Sequence, residues 1–151
     1  RISYRDGYVY GNSKLDDYAY GIAALTALYT ATDDISYFKK AEELCTAAIE
    51  NFFDEKNGGF YMYSSKDEQL ILRPKETYDG ALPSGNSMML YAIEKLSRIS
   101  SNRKIQEAYT KQRDFMISAA SPYPTACSFA LLALINGTVT ASECGPEGCT
   151  L

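Results

Sequence analysis

The feature that most constrains this chain is an alternation of five helical stretches between two characters. Apolar residues recur at intervals of three and four from about Lys14 to Thr32, Ile35 to Phe53, Ser84 to Ser100, Arg103 to Ala120 and Thr125 to Asn136. The second and fourth stretches pair an apolar stripe with a densely charged face. One carries Lys39, Lys40, Glu42, Glu43 and Glu50, the other Arg103, Lys104, Glu107, Lys111, Arg113 and Asp114. The first and fifth are small and apolar nearly all round, which requires burial on more than one side. The third starts small and apolar and ends with Glu94, Lys95 and Arg98. A chain that reads buried, exposed, buried, exposed, buried folds as stacked helical hairpins, with inner helices side by side and outer helices facing water. The expected fold class is therefore all-α.

The ends of these stretches carry stop and start signals. Ser13 with Asp16 three residues later forms a capping pair before the first helix; Asp34 and Asn102 precede the second and fourth; Gly137 closes the fifth. Between the second and third helices lies an insert. Its segment from Asn57 to Ser65, NGGFYMYSS, opens with a turn and continues as an alternating strand. Gln69 to Arg73, QLILR, is placed to pair with it, which predicts a small β-ribbon over about residues 57–73 at one mouth of the helical array. Residues 138–151 have turn chemistry and little apolar content, so the expected organisation is one helical domain over 1–137 and an extended C-terminal tail.

Composition removes several classes of function. The chain has no His, so it supplies no Ser-His-Asp triad, no His general base and no His metal ligand. Any chemistry rests on carboxylates, Tyr, Lys, Arg, Cys or backbone groups. Net charge is −4 with no basic cluster, so neither nucleic acid nor an anionic membrane surface is an expected partner. No apolar run approaches the roughly 20 residues that span a bilayer, and no leader pattern is visible, so a cytoplasmic setting is expected. The start at Arg1 rather than Met suggests a piece of something longer. Glycine-rich phosphate motifs are absent, so no nucleotide cofactor is expected. Cys45 and Cys127 fall on faces expected to be buried. Cys144 and Cys149, spaced C-x4-C, are expected as free thiols or a local disulfide; no metal site is expected.

The candidates for chemistry cluster at the starts of the inner helices. Asp16 and Asp17 open the first; each either serves the helix dipole or faces a central cleft as acid, base or sugar-hydroxyl acceptor. The segment Lys75 to Ser87, KETYDGALPSGNS, opens the third. It holds Glu76, Tyr78, Asp79, Ser84 and Asn86, more polar groups than one cap needs, with Gly80 and Gly85 permitting close backbone approach. Asp16, Asp17 and Asp79 are the candidate catalytic residues. Tyr18, Arg73, Glu76, Tyr78, Ser84 and Asn86 are the candidate ligand-binding residues.

Three stretches carry a family resemblance: LDDYAYGIAALTALYTAT at 15–32, FFDEKNGGFYMYSS at 52–65, and LILRPKETYDGALPSGNSMMLYAIEKLSRIS at 70–100. Over roughly residues 1–137 the chain resembles the C-terminal half of the spermatogenesis-associated protein 20 type. The most specific piece is RPKETYDGALPSGNS. The resemblance implies part of an (α/α)6 toroid, five helices of a twelve-helix ring, of the six-hairpin glycosidase-like class related to N-acylglucosamine 2-epimerases. It also implies a longer protein with a thioredoxin-like domain. The related epimerases use His, and this chain has none to offer. Two functions follow. One is a carbohydrate-binding or carbohydrate-processing cleft, with Asp16, Asp17, Asp79 and Asn86 facing inward and Tyr18 and Tyr78 stacking on sugar. The other is a non-catalytic scaffold that positions a thioredoxin-like partner domain. Open edges of an unclosed ring imply self-association or contact with further barrel segments.

Overall fold

The computed structural model describes residues 3–66 and 72–138. A short hairpin, β1 (Ser3–Arg5) and β2 (Tyr8–Tyr10), precedes five α-helices: α1 (Leu15–Thr32), α2 (Ile35–Phe52), α3 (Gly85–Ser97), α4 (Arg103–Ala120) and α5 (Ser128–Thr138). A 3-10 turn, Pro124–Cys127, leads into α5. The five helices coincide with the five periodic stretches. Ser36 N–H donates to Asp34 Oδ1 and Lys104 N–H to Asn102 Oδ1, so both expected caps form.

The alternation of character becomes two layers. α3 packs against α1 on one side and α5 on the other, and α2 and α4 lie behind this inner row. α3 is buried along almost its whole length, from Gly85 to Leu96. On its neighbours, Leu28 of α1 and Leu132 and Ile135 of α5 are exposed. The main core forms where α1, α2 and α3 meet, around Leu15, Ile22, Cys45, Phe52, Met89, Ile93 and Leu96. A second cluster joins α3, α4 and α5 through Leu90, Met116, Cys127 and Ala130. Cys45 and Cys127 are buried free thiols, and burial pushes Cys45 up to about 12.

The chain is thus all-α, with one short β hairpin ahead of the helices that the sequence reading did not single out. The hairpin turns on Asp6 and Gly7, both at positive φ, as a two-residue turn between twisted strands requires. In the insert, the extended segment after Gly59 finds several backbone partners instead of one ladder. Phe60 forms a single bridge to Phe53. Tyr61 N–H donates to Phe52 O, Met62 N–H to Pro74 O and Ser65 N–H to Asn51 O, while Met62 O accepts from Leu15 N–H. Most of the strand expected to pair with it, and Cys144 and Cys149 with the tail, lie outside the described residues.

Candidate functional site

The inner helices all begin at one end of the row, and Asp79 ties two of those beginnings together. Its N–H donates to Ala126 O at 2.8 Å. Its Oδ1 accepts from Ser84 N–H and its Oδ2 from Phe129 N–H, each at 2.8 Å. One carboxylate therefore satisfies an otherwise orphaned N–H at the start of α3 and another at the start of α5. Ser84 caps α3 through Ser87 N–H (3.2 Å) and donates its own hydroxyl to Ser87 Oγ (3.0 Å).

Asn86 corrects the sequence expectation most clearly. It is fully buried, and its amide acts as a peptide unit clasping the insert. Oδ1 accepts from Phe60 N–H at 2.8 Å; Nδ2 donates to Phe60 O at 2.9 Å and to Glu76 O at 2.8 Å. Gln112 of α4 donates to the Asn86 carbonyl from behind at 3.0 Å. A ligand has no access to this side chain. Asp17 is also committed to the fold: its carboxylate accepts from Lys14 N–H at 2.8 Å. The cap of α1 is thereby Lys14 with Asp17, one residue later than the expected pair of Ser13 and Asp16.

The insert is anchored by a group that the sequence reading missed. The Asp54 carboxylate accepts from Lys56 N–H, from Asn57 N–H and Nδ2, from the Tyr61 hydroxyl at 2.9 Å and from Lys75 Nζ at 2.8 Å. Lys75, and after it Asn57, hold this carboxyl well below the usual carboxylate range, and the same contact pushes the Tyr61 hydroxyl up. Asn57-Gly58-Gly59 turns against α4 so closely that a side-chain carbon on Gly58 would lie 2.6 Å from Lys111 O. One on Gly59 would lie 2.7 Å from the Phe115 ring. Both glycines also have positive φ. Arg73 belongs to the same anchor: its guanidinium donates to Tyr63 O at 2.8 Å and lies 4.1 Å from the Tyr61 ring centre. The Asp54-x-x-Asn57-Gly58 spacing is a turn signature that could have found this hub.

Asp16 differs from all of these. It accepts no hydrogen bond from the described residues. Its Oδ1 rests against the first residue of α3, where any side chain larger than glycine at position 85 would collide with it. Partial burial, and then the charge of Asp17, push its carboxyl up, with Lys14 opposing. Tyr20 follows one turn later on the same face, and its hydroxyl donates to Pro83 O at 3.3 Å. Burial, then Asp16 and then Asp79 push the Tyr20 hydroxyl up. Tyr20 was not singled out in the sequence; its i, i+4 spacing from Asp16 was the available signal. Tyr78 and Leu82 stand exposed on the loop between the anchors, at 65% and 72%. Glu76 is also exposed.

Tyr18 lies elsewhere. Two residues from Asp16 it is turned by about 200° and packs on Phe52 of α2, ring centres 5.2 Å apart. Among the described residues no three His, Cys, Asp or Glu side chains gather as a metal set, and no helix is long and apolar enough to cross a membrane.

No family model matches the chain. Spermatogenesis-associated protein 20 of Mus musculus is 30% identical over 90 residues, which is 59% of this chain and 11% of that protein. The Homo sapiens protein of the same name is 31% identical over 83 residues, 54% of this chain and 11% of that protein. An uncharacterised protein of Caenorhabditis elegans is 37% identical over 93 residues, 61% of this chain and 12% of that protein. The chain thus spans about a ninth of the length of the curated relatives it matches. Two solved structures share its fold. Cellobiose 2-epimerase from Spirochaeta thermophila aligns with a TM-score of 0.55 at 21% identity, over 73% of this chain and 29% of that one. Cellobiose 2-epimerase from Bacillus thermoamylovorans aligns with a TM-score of 0.51 at 18% identity, over 68% and 27%. The chain therefore has homologues named Spermatogenesis-associated protein 20, and its fold is a portion of an (α/α) toroid.

Proposed function

We propose that this chain forms part of the wall of a carbohydrate-binding cleft, with Asp16 as the group that meets a sugar hydroxyl. The observation that carries this reading is the contrast among the candidate acids. Asp17 and Asp79 are committed to helix starts, whereas Asp16 is held against Gly85 with no hydrogen-bond partner among the described residues. A carboxylate with a raised pKa and open lone pairs accepts a hydroxyl proton or exchanges one. Tyr20 beside it offers a hydroxyl, and exposed Tyr78 and Leu82 offer apolar surface for the C–H face of a sugar ring. The fold relatives named cellobiose 2-epimerases support a saccharide as the ligand class.

A second reading, a scaffold without catalysis that supports a thioredoxin-like domain in a longer protein, is favoured by the other candidates. Asp17, Asp79, Ser84, Asn86 and Arg73 all serve the fold. A thermal-shift screen with mono- and disaccharides, on the parent chain and on Asp16→Asn, separates the two. The cleft reading expects a sugar that raises the parent's Tm and leaves the variant's unchanged. If no sugar shifts the parent, the scaffold reading stands.

A further inference from the structure

The face of α1 opposite Asp16 borders a cleft that none of the preceding chemistry uses. It measures about 320 Å³ and is lined by Asn12, Ser13, Tyr18, Asn51, Ser64 and Lys66, with buried Phe52 at its base. The turn, the Asn51 amide and the Tyr18 ring that line it are fixed by the fold. Ser65 N–H donates to Asn51 O at 2.9 Å and Lys66 N–H to Ser64 Oγ at 3.1 Å, which sets the turn along one side. Asn51 Nδ2 donates to Ala47 O at 2.6 Å, which fixes the amide. The tilted contact with Phe52 fixes the Tyr18 ring. A pre-formed cleft loses little entropy when a ligand enters.

Its chemistry is specific in kind. One half-buried aromatic ring stands among two amides, two serine hydroxyls and an ammonium group. The Tyr18 hydroxyl has no partner among the described residues, and neither has the Asn51 side-chain oxygen, although both belong to half-buried residues. Half-buried polar groups next to an aromatic ring suit a ligand with one apolar face and many hydroxyls on its edges. A purely apolar ligand would leave the Asn51 oxygen and the Tyr18 hydroxyl without partners. A bare anion would meet the Asn51 oxygen as an acceptor and leave the ring unused. We infer that the cleft between α1, the end of α2 and the turn at Ser64–Lys66 is a second saccharide site, which binds one pyranose ring against Tyr18 with its hydroxyls on Asn51, Ser64 and Lys66. It is independent of the Asp16 reading, because the two lie on opposite faces of α1.

The test is an NMR titration of the whole chain with glucose, cellobiose and glucuronate, with glycerol as the polyol control. The expected result is a saturable shift of the Tyr18, Asn51, Ser64 and Lys66 signals with at least one sugar and not with glycerol. It should persist in Asp16→Asn and weaken by about tenfold in Tyr18→Leu, the size of a lost ring contact. Lys66→Ala, a surface change that leaves the core intact, should weaken binding by a smaller factor and keeps the test open if Tyr18→Leu unfolds. Absence of a saturable shift at these residues, or equal shifts with glycerol, overturns the site. Sugar-induced shifts confined to Asp16, Tyr20 and Tyr78 also overturn it, while supporting the first cleft.

Discussion

The entrances of α1 and α3 are built from similar residues and do different things. At α3 the polar groups are committed to the fold. Asp79 joins two helix starts, Ser84 caps one, and Asn86 binds the insert. At α1 only Asp17 caps, and Asp16 is left exposed beside Gly85. A surplus of capping residues therefore marks a joint when several chain segments converge on it. It marks a candidate site when one carboxylate is left over after the cap has formed.

Asn86→Ala tests the joint most severely. It removes the partners of Phe60 N–H, Phe60 O and Glu76 O, and orphaned buried groups cost about 1–3 kcal/mol each. Urea denaturation should show a loss of at least about 3 kcal/mol; a loss below 1 kcal/mol would mean that water replaces the amide. Lys75→Met should come next. It leaves the buried Asp54 carboxylate without its cation, and breaking such a pair costs about 3 kcal/mol or somewhat more. The pH dependence has a definite sign here. The folded Asp54 carboxyl lies below its unfolded value, so its contribution is present above about pH 3.9 and is lost as pH falls toward the folded value. Lys75→Met should therefore lose more stability at neutral pH than in acid, and a constant difference would remove the ion pair from the account.

A smaller effect addresses the α1 entrance itself. Gly85→Ala places a methyl group into Asp16, with an expected cost of about 1–3 kcal/mol. Combining it with Asp16→Ala should recover the part of that loss due to the carboxylate and leave the part due to Leu15, whose Cδ2 would lie 3.0 Å from the methyl. Additive losses in the double variant would show that the two residues are not in contact.

The helices and their order were legible because the apolar spacing and charged faces of α2 and α4 are strong local signals, and Asp34, Ser84 and Asn102 cap as their identities suggest. The joint was not legible. Asp79 reaches Phe129 and Asn86 reaches Phe60 across 50 and 26 residues, and no local pattern reports such partners. The Asp54–Lys75 pair spans 21 residues and was hidden for the same reason. The first hairpin was legible in principle from Asp6-Gly7. The alternation of the insert after Gly59 serves several partners at once, Phe52 and Asn51 of α2 and Pro74 of the insert itself, while most of the strand expected to pair with it lies outside the described residues.

Two similar carboxylates at two helix starts thus have opposite roles. Urea denaturation of Asp16→Asn and Asp79→Asn side by side at neutral pH tests this contrast most directly. Asp79→Asn should lose about 1–2 kcal/mol, because a neutral amide serves two backbone donors poorly. Asp16→Asn should be unchanged or slightly more stable. Its carboxyl is raised in the folded chain, so ionisation opposes folding as pH rises through about 3.9, and any gain should vanish in acid. Equal losses in the two variants would contradict the account and return Asp16 to the fold.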